Sequence, residues 1–272
     1  LLGYPGRAYV SGFSFIMATG FMMSIVVVFH ALVPRLRPVA IEKGFITPGD
    51  WIRHRFEGEP WARSLRLSIG ALMSIAMVNF LLAQLKAMGA VASRVSDDAI
   101  PYWLGVAGLA ALILFYETRG GMRAVAWTDA IQGVILIIGF AVLLFMVFDQ
   151  FGSLEEASRR LRSNLVEEDK VLLPKGPGLR MWTSYILLVG IGGALYPQAI
   201  QRIYAARSSA TLRKSLSVMA FLPLTTTLVA LIVGIMAAAH LGDVIPKDAS
   251  ADRVLAVMCS QVQSGSTAGY WL

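Results

Sequence analysis

The residues able to do chemistry in this sequence are few, and most stand inside or beside apolar runs. Asp129 lies in YETRGGMRAVAWTDAIQG, Tyr116 to Gly133, and the nineteen residues that follow it from Ala130 to Phe148 carry no charge. A carboxylate just inside such a run is expensive. It marks a cation path, or it caps and snorkels at the headgroups. A second candidate is backbone rather than side chain. In MWTSYILLVGIGGALYPQAIQ, Met181 to Gln201, Gly190, Gly192 and Gly193 precede Pro197. Glycines and a proline weaken the intrahelical ladder. The freed amides and carbonyls then need protein or a wet cavity to satisfy them, as in discontinuous helices that bind a hydrophilic ligand. The same glycines also suit close helix packing. Asn79 and Lys86 are seven residues apart and share a helix face, so Lys86 either faces a cavity or snorkels outward. Pro223 with Thr225, Thr226 and Thr227 reads as a kinked, self-satisfied helix rather than an ion site.

Catalysis is not indicated. There is no paired acid and base, no nucleophile with a partner and no ligand cluster at useful spacing. His30, His54 and His240 are far apart, and Cys259 is the single cysteine, which excludes an internal disulfide and a cysteine-based metal site. The expectation is a binding protein without an organic cofactor.

The elements that position these residues follow from composition. Of 272 residues 56% are hydrophobic and 15% charged, and mean hydropathy is +0.64. A soluble domain carries about 25% charge. The apolar runs are continuous rather than alternating, which excludes a β-barrel. The class is an all-α polytopic membrane protein, since ~20 helical residues cross a ~30 Å hydrocarbon core. Spans are expected at about 12–34, 67–93, 100–116, 122–148, 181–204 and 212–242. Thr47-Pro48-Gly49-Asp50 starts a short helix through Trp51, Ile52 and Phe56, lying on the membrane surface or in a solvated loop. SLEEASRRLR is a helix with acids early and bases late. A turn at 96–98 and an external loop at 243–263 complete the outline.

The net charge of +7 resides in loops and gives no reason to expect nucleic acid. Loops 33–66, 117–123 and 202–214 hold 13 Lys and Arg, against nine on the other side, most of those in the acid-rich 149–180 insertion. The three basic loops are therefore expected in the cytoplasm, with both ends of the chain outside. Leu1 is not a methionine and an apolar stretch opens at Leu272, so the sequence reads as an internal piece of a longer protein.

Four motifs occur in one order: GYPGRAYVSG at Gly3 to Gly12, FITPGDWIRHRFE at Phe45 to Glu57, GGMRAVAWTDAIQ at Gly120 to Gln132, and QAIQRIYAARSSATLRKS at Gln198 to Ser215. Together they resemble the sodium:solute symporter family, over nearly the whole chain. The resemblance implies the LeuT-type five-plus-five inverted-repeat fold, here partial, from the tail of core helix one through core helix seven. It implies sodium-coupled symport of a small solute (an amino acid such as proline, a carboxylate or a sugar) in a bacterial inner membrane. A symporter-like sensory input domain of a histidine kinase is the alternative. Asp129, with Thr128 beside it, matches the fifth-helix aspartate associated with the cation's inward route. Gly192, Gly193, Tyr196, Pro197 and Gln198 match the segment lining the substrate cavity, to which Lys86 is the further candidate. Tyr196 and Pro197 stand where other members often carry Asn, Asp or Gln. The main sodium ligands of the family belong to core helices one and eight, outside this chain.

Overall fold

A computed structural model describes residues 3–96, 99–164, 168–242 and 253–265. The expected turn at 96–98 and the loop from 243 therefore fall partly outside the described residues. In chain order the helices are α1 (Gly3–Ser11), α2 (Met17–Lys43), α3 (Pro48–Arg55), α4 (Ala62–Val95), α5 (Tyr102–Phe151), α6 (Leu154–Ser163), α7 (Pro177–Ala194), α8 (Pro197–Ala205), α9 (Ser209–Met219), α10 (Leu222–His240) and α11 (Arg253–Gly265). Short 3-10 turns cover Gly12–Ile16 and Glu168–Val171. Among the described residues there is no strand. The protein is an all-α, multi-pass membrane protein. Four helical stretches are long and apolar enough to cross a bilayer: Gly3–Lys43, Ala62–Ser93, Tyr102–Phe151 and Ser209–His240. The bent pair α7 and α8 makes a fifth.

The chain divides into two compact units, one of residues 43–134 and one of 1–42 with 135–272. In the second of these, α10 is the hub. On one side Val229, Val233, Met236 and Ala237 pack against Phe140, Leu143 and Val147 of α5 and Val254, Met258 and Val262 of α11. On another, Leu231, Ile235 and Ala238 meet Ala8 of α1, Phe15, Ala18 of α2 and Leu161 of α6. Gly234 permits the α1 contact, because a Cβ there would lie 2.4 Å from both the Ala8 Cβ and the Pro5 carbonyl oxygen. The hydroxyls of Thr225, Thr226 and Thr227 donate to carbonyls of Leu222 and Pro223 one turn back, so this proline-bearing helix start is satisfied from within. Helix α6 forms as its charge order dictates: Ser153 accepts from the Glu156 N–H, and Glu155 and Glu156 pair with Arg159 and Arg160.

In the 43–134 unit, α4 and the start of α5 pack through small residues. A Cβ on Gly89 would lie 2.6 Å from the Tyr102 ring, and one on Gly105 2.5 Å from the Ala92 Cβ. Backbones approach this closely only where side chains are absent, as in membrane helix pairs. The turn expected near 117–121 narrows to Gly121, whose φ of +53° and ψ of −154° interrupt α5. That conformation is open essentially to glycine alone. It matters because α5 has 50 residues. At 1.5 Å per residue an unbroken helix of that length would be roughly 75 Å, more than two bilayer cores, so the interruption separates two stretches that could each cross one.

Helix α3 starts at Pro48 with Thr47 as N-cap. The Asp50 carboxylate accepts from the Thr47 N–H at 2.8 Å, the Ile46 N–H at 3.0 Å and the Thr47 hydroxyl at 3.1 Å. Partial burial pushes the Asp50 carboxyl up. The two backbone N–H groups, the hydroxyl and Arg53 outweigh it, and the carboxyl is held below its ordinary value. A depressed carboxyl stabilises fully above the unfolded value of ~3.9 and loses that contribution as pH falls through the folded value. Amide protection at Ile46 and Thr47 is therefore expected to be flat at neutral pH and to collapse below about pH 4. Asp50→Ala removes the acid transition and costs about 1 kcal/mol of local stability at pH 7.

Candidate functional site

The 181–201 stretch folds as two helices with a bend of 46° between them. The cause is local. Pro197 has no N–H to offer the Gly193 carbonyl, and it holds its predecessor extended. Tyr196 accordingly has φ −62° and ψ +128°. Helix α7 tightens as it ends: the Leu195 N–H donates to both the Ile191 and Gly192 carbonyls at 3.2 Å, and the Tyr196 N–H reaches the Gly193 carbonyl at 3.4 Å. Helix α8 restarts with the Ala199 and Ile200 N–H groups on the Tyr196 carbonyl. The Ala194 and Leu195 carbonyls and the Gln198 N–H make no backbone hydrogen bond across the break among the described residues. Such groups at membrane depth call for a polar partner.

One face of the break is closed and the other open. On the closed face, a Cβ on Gly190 would lie 2.5 Å from the Ser24 hydroxyl, and one on Gly193 2.8 Å from the Ile25 side chain. Ala194 is fully buried with Phe29 and Val33 of α2, Ile203 of α8 and Leu216 of α9. On the open face, a Cβ on Gly192 would meet nothing within 4 Å, and Leu195 and Gln198 are exposed. Tyr196 and Pro197 are half-buried between the two faces. Cavity lining and small-residue packing are thus divided among the glycines: Gly190 and Gly193 pack, while Gly192 is bare.

Helix α2 acts as a splint for this break. The Ser24 hydroxyl donates to the Ile186 carbonyl of α7 at 2.8 Å, besides its own Phe21 carbonyl. Three turns on, the Arg37 guanidinium donates to the Ala206 carbonyl at the end of α8, at 2.9 Å, and to the Ser209 hydroxyl opening α9, at 3.0 Å. Arg37 is 8% exposed, and its Nε has no partner among the described residues. A buried guanidinium held by one neutral carbonyl and one hydroxyl is poorly compensated. Neither anchor stood out in the sequence. Ser24 carried a signal in the Gly20-x3-Ser24 spacing, facing Ile186 and Gly190. Arg37 was legible only as one more loop cation.

The remaining candidates lie in the 43–134 unit. Lys86 is exposed on α4. Asp129 is exposed on α5, eight residues beyond the Gly121 interruption. Thr128 beside it donates its hydroxyl back to the Ala124 and Val125 carbonyls. That bond leaves the hydroxyl oxygen's lone pairs able to accept a cation.

Comparison with known proteins gives a single answer. The sodium:solute symporter family model matches residues 1–269. The sodium/pantothenate symporter of Haemophilus influenzae is 26% identical across 100% of this chain and 54% of its own length. An uncharacterized symporter of Bacillus subtilis, YwcA, is 29% identical over 79% of the chain and 40% of its own. The sodium/glucose cotransporter of Vibrio parahaemolyticus is 26% identical over 79% of the chain and 43% of its own. The chain thus spans about half the length of these curated relatives. No solved structure matches.

Proposed function

Since the chain belongs to the sodium:solute symporter family, we propose that it forms the substrate-cavity part of a sodium-coupled carrier of a small organic solute, working by alternating access. The observation that carries this reading is the break between α7 and α8. Its open face offers the Leu195 carbonyl and the Gln198 N–H to a solute that has shed its water, beside the bare Gly192 and the polar ends of Tyr196 and Gln198. Half-helix dipoles converge there as well: α7 ends in carbonyls and α8 begins in N–H groups. A sodium ion bound beside the solute raises the population of the solute-competent state, and the coupling is reciprocal. Names among the relatives (pantothenate, glucose and, in a mouse relative, monocarboxylate) set the panel of solutes to try. Uptake by the full-length protein into proteoliposomes with and without an inward sodium gradient tests it. A solute accumulated only with the gradient supports the reading, and accumulation indifferent to sodium contradicts it.

We assign the architecture as the five-plus-five inverted repeat. Spans 12–34, 67–93, 100–116 and 122–148 are core helices two to five, folding back at Gly121. Spans 181–204 and 212–242 are core helices six and seven. The membrane is the bacterial inner membrane, with the basic loops in the cytoplasm. We assign Asp129, with Thr128, to the cation's route to that side, and Lys86 as the further candidate for the solute path. Asp129→Asn keeps size and shape at an exposed position, so insertion is expected to be unaffected. The sodium concentration for half-maximal uptake is expected to rise roughly tenfold, within the usual range of coupling energies. An unchanged sodium response would remove Asp129 from the cation path.

A further inference from the structure

Where α3 gives way to α4, Arg53, Phe56, Glu57, Glu59, Arg63 and Arg66 line a cavity of about 280 Å³. Gly58, with φ +90°, makes the turn that folds its wall. The charges in it are not spent on one another. Arg53 is 3.9 Å from Asp50, a loose pair, and Glu57, Glu59, Arg63 and Arg66 make no ion pair among the described residues. Their neighbours are stacked on rings: the Arg55 guanidinium lies 5.8 Å from the Phe56 ring centroid, and the His54 ring lies against Phe45. One small cavity thus offers three guanidinium groups and two carboxylates side by side.

Its position says what fills it. Arg63 and Arg66 immediately precede the uncharged run that begins at Leu67, in a helix apolar enough to cross a bilayer. Trp51 and Trp61 are exposed beside them. Exposed tryptophans and arginines at the end of a membrane helix sit at headgroup level. Guanidinium forks match phosphate oxygens, and the carboxylates need a donor of positive charge. A cavity at the small end of the ligand-pocket range suits a headgroup better than a large solute.

We propose that this cavity binds the headgroup of phosphatidylethanolamine, with Arg63, Arg66 and Arg53 on the phosphate and Glu57 and Glu59 accepting from the primary ammonium. The proposal rests on α4 crossing the membrane and is independent of which solute is carried. Phosphatidylcholine has the same phosphate, but its quaternary ammonium donates no hydrogen bond. Phosphatidylglycerol has the phosphate and no cation. The test is native mass spectrometry of the full chain extracted from vesicles of the three lipids in equal amounts. Phosphatidylethanolamine is expected to be retained about tenfold over phosphatidylcholine, as one charged hydrogen bond allows. Glu57→Gln with Glu59→Gln should erase that preference while phosphatidylglycerol is kept. Arg63→Gln with Arg66→Gln should release both. Should the arginine pair fail a thermal-unfolding check, the glutamate pair decides alone. Equal retention of the three lipids overturns the proposal, as does a preference that survives the glutamate pair. Full displacement by millimolar inorganic phosphate overturns it too, since that marks a site for a free anion.

Discussion

Leucine in place of Gly234 is expected to leave little folded protein. The substitution puts a side chain where a Cβ alone would lie 2.4 Å from the Pro5 carbonyl oxygen, 2.4 Å from the Ala8 Cβ and 2.9 Å from the Tyr9 N. Two of these are backbone atoms of α1, which cannot rotate away as a flexible side chain can. Overpacking a core costs about 1–3 kcal/mol where side chains can shift, and more where they cannot. Helix α10 packs on several sides, so the strain spreads to α5, α6 and α11. The loss should exceed about 3 kcal/mol, a large share of a typical total of 5–15. The measurement is detergent-solubilised yield and thermal unfolding. Gly192→Ala serves as control, because a Cβ there meets nothing, and it should unfold like the parent.

Alanine in place of Pro197 is expected to preserve folding and to weaken solute binding at least tenfold. It restores the N–H of residue 197 that would continue the ladder to the Gly193 carbonyl, which now accepts the long 3.4 Å bond from the Tyr196 N–H, and frees Tyr196 from its extended conformation. A proline inside a helix is disfavoured by about 3 kcal/mol relative to alanine, so removal favours a continuous helix by over a hundredfold if nothing else resists. Ser24 and Arg37 do resist, since they hold the two halves to fixed points on α2. Restoring the ladder should win in part and occlude the Leu195 carbonyl. Spin labels at positions 188 and 205 should move apart towards the roughly 26 Å of an unbroken helix. Solute affinity should fall at least tenfold. A straightened segment with undiminished affinity would show that the break is not the binding element.

How much of this was legible in the sequence depends on the range of the interaction that decides each feature. The interruption at 195–196 follows from Pro197 acting on its immediate neighbours, and the α3 start from Thr47 to Asp50. Both are local and both were readable. Which glycine packs and which stays bare was not readable. Gly190 and Gly193 are decided by Ser24 and Ile25, more than 160 residues away. Arg37 illustrates the same limit: its burial is created by the α8–α9 junction, and in the sequence it sits among basic loop residues. Gly121 lies between. The glycine pair announced a turn, but only the backbone shows that one residue makes it.

The most direct test of the open break uses cysteine accessibility. With Cys259→Ser as background, single cysteines are placed at 192, 195 and 198 on the open face and at 187, which is exposed and apolar on another face of α7. Each is treated from the aqueous phase with a charged thiol reagent, with and without sodium and transported solute. Positions 192, 195 and 198 should react and be protected when sodium and solute are present together, while 187 stays inert. Equal inertness at all four positions would mean that the break faces lipid, and the carrier reading of this segment would fail.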